Sequence, residues 1–285
     1  MDVLDKITQM RPTFSKGQKR IADFITSHAD KAAFMTAARM GATVGVSEST
    51  VVRFAYELGF EGYPELSRAL QQLIRVQLTS VQRISVTKDR MGEGDLLEKA
   101  FSYDMDKIRR TMEETSRADF QAAAESIAAA RNIYVIGDRS AGALAYFIEY
   151  YFGLMFNNVR RVHTSSTSEL YEQMVRVGPK DVLIGISFPR YSTLTVRACR
   201  FAADAGATVV AVTDGPASPL GKMANHLLAA RSDMTSFVDS LAAPFSLVNA
   251  LIVAVGLQKE DEVRNTFERL EGIWSEYHVY QGPSS

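Results

Sequence analysis

The residues best suited to chemistry in this chain fall into two groups. The first is Ser47, Ser49, Thr50, Arg53 and Tyr56, with Thr36 a little upstream. An arginine fork pairs bidentately with guanine O6 and N7, and serine or threonine hydroxyls serve bases or phosphates. That set suits the edge of a DNA groove. The second group is a pair of short stretches, Gly137-Asp138-Arg139-Ser140-Ala141-Gly142 and Ser187-Phe188-Pro189-Arg190-Tyr191-Ser192-Thr193. Each places hydroxyls and an arginine just ahead of a helical pattern, which suits an anion held at a helix N-terminus. Arg139, Ser140, Ser187, Arg190, Tyr191 and Ser192 are the candidate ligand contacts.

The first group needs a helix to carry it. Taking Val51 as origin and stepping about 100° per residue places Phe54, Ala55 and Leu58 on its side, the core side. Ser49, Arg53 and Tyr56 fall opposite. Ser47 is a natural N-cap and Gly59 a natural left-handed stop. Upstream, a short helix from near Thr36 turns Met40 and Val44 inward, Gly45 sits at the turn, and Val46 plugs the corner. Two helices crossing at a glycine with a polar outer face form a helix-turn-helix. A helical hairpin used only for packing is the alternative.

The second group needs a parallel sheet. After a helix over 96–115 the pattern alternates. Strands are expected at 132–137, 159–163, 181–187, 208–213 and near 226–229, with helices at 140–156, 166–177, 192–205, after Ser240, and at 261–277. Continuous apolar strands alternating with helices predict a doubly wound parallel sheet. With strand order 2-1-3-4-5, the loops after the first and third strands border one crevice, so both ligand stretches converge.

No catalytic motif is complete. Gly137 and Gly142 keep the glycine spacing of a P-loop, but Ala143 and Leu144 replace its Lys and Ser/Thr. Ser140 lacks the G-x-S-x-G elbow, and a dinucleotide loop would need a further glycine. The histidines His28, His163, His226 and His278 are far apart in sequence and none lies in H-E-x-x-H. His163 and His226, in or beside strands, read as packed neutral side chains. No catalytic residue, metal or cofactor is expected.

Size and charge agree with two domains. The chain has 285 residues, 46% hydrophobic and 23% charged, an ordinary globular composition. Residues 1–90 hold 13 Lys+Arg against 9 Asp+Glu and the remainder 19 against 24, so balances of +4 and −5 put a mildly basic front on an acidic body. The expected division is a helix-turn-helix DNA-binding domain over 1–78, a turn-rich linker over 79–95 and an α/β ligand domain over 96–285. A helix over 65–78 closes the front. The single Cys199 fits a cytoplasmic protein, and no signal-peptide pattern opens the chain. The charge-free stretch 240–258 contains Pro244, Asn249 and Gly256 and reads as a buried helix rather than a membrane span. That helix and the C-terminal one are the expected dimer contacts.

The stretch Val46–Leu66, VSESTVVRFAYELGFEGYPEL, resembles the helix-turn-helix signature of the RpiR/MurR family of bacterial regulators. The α/β region resembles their sugar isomerase (SIS) domain. The resemblance implies a transcription factor, a homodimer or homotetramer, commonly a repressor of carbohydrate or related catabolic genes. Its partners would be double-stranded operator DNA and a small anionic effector, a sugar phosphate in most relatives. The loops depart from the SIS pattern. A first loop of the form G-x-G-x-S here has Arg139 for its second glycine and Ala141 for its serine. A second of the form S-x-S-G-x-T has Pro189 and Arg190 in the middle. Arg139 and Arg190 could supply the anion contacts, and a guanidinium fork pairs with a carboxylate as well as a phosphate, so the effector could be a sugar acid or another carboxylated metabolite. Alternatively both pair with local acids such as Asp138 or Asp214. The competing functions are a sugar-phosphate isomerase with a helical accessory domain, for which Glu169 and His163 are the nearest bases, and a non-catalytic sensor acting by protein contact.

Overall fold

The computed structural model describes residues 3–74, 79–91, 94–232 and 236–280. The chain divides into two compact units, the first containing Met1–Leu96 and the second Leu97–Asp233 with Asp239–Ser285.

The first unit is all helix: α1 Val3–Met10, α2 Lys16–Ser27, α3 Ala29–Ala32, α4 Ala37–Val44, α5 Glu48–Glu57, α6 Tyr63–Ile74 and α7 Ser80–Met91. Polar side chains set the starts. Ser15 and Gln18 form a capping box on α2, Thr36 caps α4 and Ser47 caps α5, each meeting N–H groups that the helix itself cannot. The core gathers Ile21, Ile25, Met40, Val51, Phe54, Leu58, Leu66 and Leu70, all fully buried. Phe14 meets Phe54 edge-on at 5.1 Å. From α6, Tyr63 donates to Met35 O (3.0 Å) and Ser67 to Ala33 O (2.8 Å), holding the chain just before α4. Burial pushes the Tyr63 phenol up to about 12.

The connector expected to be irregular instead carries α7. Thr79 N–H donates to Gln82 Oε1 (2.9 Å) and Gln82 N–H to Thr79 Oγ1 (3.3 Å). This is a T-x-x-Q capping box, which starts a helix in a polar sequence. The helix expected over 65–78 is α6, which starts earlier at Tyr63; residues 75–78 lie outside the described residues, as do Gly92 and Glu93 of the connector.

The second unit contains α8 Leu96–Glu114, α9 Arg117–Ala129, β1 Ile133–Gly137, α10 Gly142–Met155, β2 Val159–Arg161, α11 Thr167–Met174, β3 Val182–Ile186, α12 Thr193–Asp204, β4 Thr208–Thr213, β5 His226–Ala229, α13 Ala242–Gln258 and α14 Glu260–Glu276. The five strands are all parallel in the order β2-β1-β3-β4-β5. Alternate side chains serve opposite faces, as strand geometry requires. Val135, Ile184, Ile186, Val210 and Val212 pack under α9, α10 and α13. Tyr134, Ile136, Leu183, Val209 and Ala211 pack under α11 and α12.

The charge-free helix α13 spends its apolar surface in this core: Leu247, Val248, Leu251, Ile252 and Val255 are buried, and Val253 and Leu257 stay exposed. One side of α13 thus belongs to the core, and the other, with Asn249, Val253 and Leu257, faces outward. Among the described residues no single helix is long and apolar enough to cross a membrane.

At the N-terminal ends of β1 and β3, Asp181 accepts from Arg131 Nε (2.9 Å), Asn132 Nδ2 (2.9 Å) and Gly178 N–H (2.9 Å). Burial would raise its pKa, but these donors together hold the carboxyl below the ordinary value of 3.8. This end of the sheet is a structural clip. The opposite, C-terminal end carries the loops of interest.

Candidate functional site

The helix-turn-helix is built around two glycines. Gly45 ends α4 at φ 70°, ψ 45°, a left-handed conformation that costs glycine nothing. Arg20 of α2 donates to its carbonyl at 2.5 Å. Gly41, one turn back, accepts the Val46 N–H at 2.9 Å. A Cβ on Gly41 would lie 2.7 Å from Val46 O, so only glycine allows α4 to meet the start of α5 this closely. Its signal in the sequence was its place four residues before Gly45, which the apolar pattern of the helix obscured.

The outer face of α5 is where the sequence placed it. Ser47, Ser49, Arg53 and Tyr56 are exposed, Thr50 is half-buried, and Val51, Phe54 and Ala55 are buried. The Ser47 hydroxyl lies 2.9 Å from Ser49 Oγ and 2.8 Å from Thr50 Oγ1, so the three hydroxyls form one cluster at the helix start. Arg53 Nε donates to Ser49 O at 3.4 Å. Thr36 is exposed at the start of α4, where its hydroxyl accepts the Arg39 N–H (3.2 Å).

Sequence reasoning missed the contribution of α2. A Cβ on Gly17 would sit 3.4 Å from Val46 Cγ1 and 3.6 Å from Thr50 Cγ2. The first turn of α2 therefore abuts the first turn of α5, and the Gln18 amide donates to the Glu57 carboxylate. Two helix N-termini share one surface, with Lys16 beside them and the exposed Arg20 at the turn. Their N–H groups and positive dipole ends attract phosphate.

The second site lies at the C-terminal ends of β1 and β3, the switch point where the strand order reverses. After β1, Asp138 accepts the Arg139 N–H (2.8 Å) and starts a single tight turn over 139–141, with Arg139 and Ser140 exposed. After β3, Ser187 is buried and its hydroxyl accepts the Ser192 N–H at 3.1 Å. Ser192 caps α12 and donates its own hydroxyl to Asp138 Oδ2 at 2.8 Å. The two stretches thus meet directly. Tyr191 donates to both oxygens of Asp214 (2.9 and 3.1 Å), which adds the end of β4. Arg190 is exposed and half-buried Tyr191 follows it.

Arg139 and Arg190 share a feature that no sequence pattern states. Their φ angles are +56° and +68°. An L-residue pays about 1–2 kcal/mol for left-handed backbone. Both arginines occupy positions whose backbone is shaped for glycine.

The candidate bases for an isomerase do not form a pair. Glu169 accepts from Thr164 and from Gln173 Nε2 (3.1 Å). His163 is exposed, which corrects its reading as a packed histidine, because the strand ends at Arg161 before reaching it. His226 is half-buried, its Nε2 3.0 Å from Ser126 Oγ. Cys199 is buried against β3, which pushes its thiol up to about 12 and makes it inert at neutral pH.

Two family models match the chain: the rpiR-family helix-turn-helix domain over residues 1–76 and the SIS domain over residues 126–254. An uncharacterised HTH-type transcriptional regulator of Caldanaerobacter subterraneus is 23% identical over 278 residues, covering 96% of this chain and 97% of its own length. The HTH-type transcriptional regulator YfhH of Escherichia coli is 25% identical over 235 residues, 80% and 81% of the two chains. Among solved structures, Vibrio vulnificus NanR in complex with ManNAc-6P shares the fold across 97% of this chain and 99% of its own, with a TM-score of 0.59 at 19% identity. The sugar isomerase domain of an RpiR transcription factor from Sphaerobacter thermophilus covers 62% of this chain and 99% of its own, with a TM-score of 0.59 at 24% identity. The chain belongs to the RpiR family of helix-turn-helix transcriptional regulators that carry a SIS domain.

Proposed function

We propose that this regulator represses carbohydrate or related catabolic genes in the cytoplasm, as a homodimer or homotetramer, under the control of a small anionic sugar-type effector. Operator DNA meets the α5 face, with Arg53 at base edges and Ser47, Ser49, Thr50, Tyr56 and Thr36 at bases and backbone phosphates. The effector sits between the loops after β1 and β3, in reach of Arg139, Ser140, Arg190, Tyr191 and Ser192. No catalytic turnover is assigned: the Glu169 carboxylate is engaged by Thr164 and Gln173.

The observation that carries the effector site is the Ser192–Asp138 bond across the switch point. The Asp138 carboxylate takes the Arg139 N–H and the Ser192 hydroxyl, two donors that a bound anion would use. An effector anion competes with Asp138 for them and so changes how the two loops are tied. That is the differential contact a ligand needs in order to bias one arrangement over another. A 100-fold change in operator affinity requires about 2.7 kcal/mol of such coupling, within reach of two charge-assisted hydrogen bonds.

Arg139 and Arg190 set the effector class. NanR holds a sugar phosphate in its solved complex. Here two guanidinium groups stand at positions with glycine-like backbone, and they accept phosphate or carboxylate. Calorimetric titration of phosphorylated and carboxylated sugars into wild type, Arg139→Ala and Arg190→Ala tests this. The reading requires that at least one substitution weaken binding of the ligand the wild type takes. A gel shift on the chain's own upstream region, with and without that ligand, tests the regulator. Turnover of a sugar phosphate by the purified chain would favour the isomerase instead.

A further inference from the structure

The helix α8 is inside out. Its packed side is polar: Lys107 and Thr111 are buried, as is Thr115 just past its end. Thr111 Oγ1 accepts the Arg231 N–H (2.8 Å), Ser240 donates to Asp104 Oδ1 (2.6 Å), and Glu114 pairs with the Arg231 guanidinium. The apolar side chains lie on the adjacent side, about 100° further round the helix, and are left uncovered. Leu97, Phe101, Met105, Ile108 and Met112 are 67%, 63%, 61%, 37% and 56% exposed. At about 100° per residue all five fall within an arc of about 80°. A globular helix normally does the reverse, burying the apolar stripe and wetting the polar one.

Five such side chains leave on the order of 500 Å² of contiguous apolar surface, most of the ~800 Å² that each partner contributes to a stable interface. The stripe is also symmetric along the helix. In an antiparallel pairing that sets Phe101 against Ile108, the same register sets Leu97 against Met112 and brings Met105 to the centre. A two-fold contact needs this property, because one patch must match itself. The neighbouring charged side carries Arg109 in ion pairs with Asp106 (2.6 Å) and Glu113 (3.1 Å). It offers no net positive charge to nucleic acid or to an acidic lipid surface.

We propose that a second copy of this chain covers the stripe, with its α8 lying antiparallel across the first about an axis near Met105. This rests on the homo-oligomer of the proposed function and names the surface that forms it. Neither the exposed side of α13 nor the DNA-contact face of α5 takes part.

The test uses the full chain. Sedimentation equilibrium at micromolar concentration should show an assembly, and Phe101→Asp with Ile108→Asp should halve its mass with the far-UV circular dichroism unchanged. Met105→Cys should form a covalent dimer on mild oxidation, whereas Ser102→Cys, on the charged side, should not; the buried Cys199 does not interfere. A monomeric wild type would overturn both this proposal and the oligomer it rests on. An assembly whose mass the double substitution leaves unchanged, or in which Met105→Cys fails to cross-link, would overturn the α8 surface alone.

Discussion

The Ser192 hydroxyl donates to Asp138 Oδ2 at 2.8 Å, joining the loop after β3 to the loop after β1 across 54 residues of sequence. Ser192 also caps α12, and its N–H is held by Ser187. One hydroxyl therefore links the mouth of the sheet, the start of a helix and the Asp138 carboxylate.

Asp138→Ala separates those roles. It removes the acceptor for two donors, so the ligand-free chain should lose about 1–3 kcal/mol of stability, read by urea denaturation. Affinity for an anionic effector should rise several-fold in calorimetry, because the competing negative charge is gone. Weaker effector binding by this variant would show that Asp138 helps to hold the ligand.

Glycine and alanine at 139 and 190 give different answers from one another. Both remove the guanidinium, but glycine adopts φ of +56° and +68° without strain. The glycine variants should be more stable than the matching alanine variants by about 1 kcal/mol each. Effector affinity should fall alike for both substitutions at each site. Glycine variants that bind like the wild type would mean that the backbone, and not the arginine, holds the anion.

The Asp181 clip predicts part of the acid sensitivity. Its folded pKa lies below 3.8 because the donors on Arg131, Asn132 and Gly178 outweigh burial. A depressed carboxyl stabilises the fold above its unfolded pKa, and the contribution fades as pH falls through the folded one. Asp181→Asn should be less stable than wild type at pH 7. The gap should narrow as the pH drops below 3.8, where the wild-type carboxyl takes up its proton. A gap independent of pH between 7 and the acid transition would remove the charge from the account.

Much of the fold was legible because strands and helices differ in period. Thr208–Thr213 and His226–Ala229 have the expected bounds; β1 starts one residue late, β2 ends two residues early and β3 loses one residue at each end. The helix α9 escaped notice because its sequence, RADFQAAAESIAA, packs through Ala123, Ala124 and Ile127 and shows little large-residue periodicity. The helix α7 was hidden by polar composition, although Thr79 and Gln82 announced its start. The outward face of α5 followed from spacing alone. The Asp138–Ser192 bond did not, since a contact between distant loops leaves no trace in local pattern. The left-handed backbone at Arg139 and Arg190 was equally silent, because arginine carries no local signal for that conformation.

The central claim is that the α5 face reads DNA sequence, and Arg53→Ala tests it most directly. Binding should be measured by fluorescence anisotropy at fixed salt on the chain's own operator and on a scrambled duplex of equal length. The account predicts that wild type prefers the operator and that Arg53→Ala loses about 1–3 kcal/mol of that preference, while its affinity for the scrambled duplex stays nearly constant. Equal weakening on both duplexes, or an unchanged preference, would contradict it.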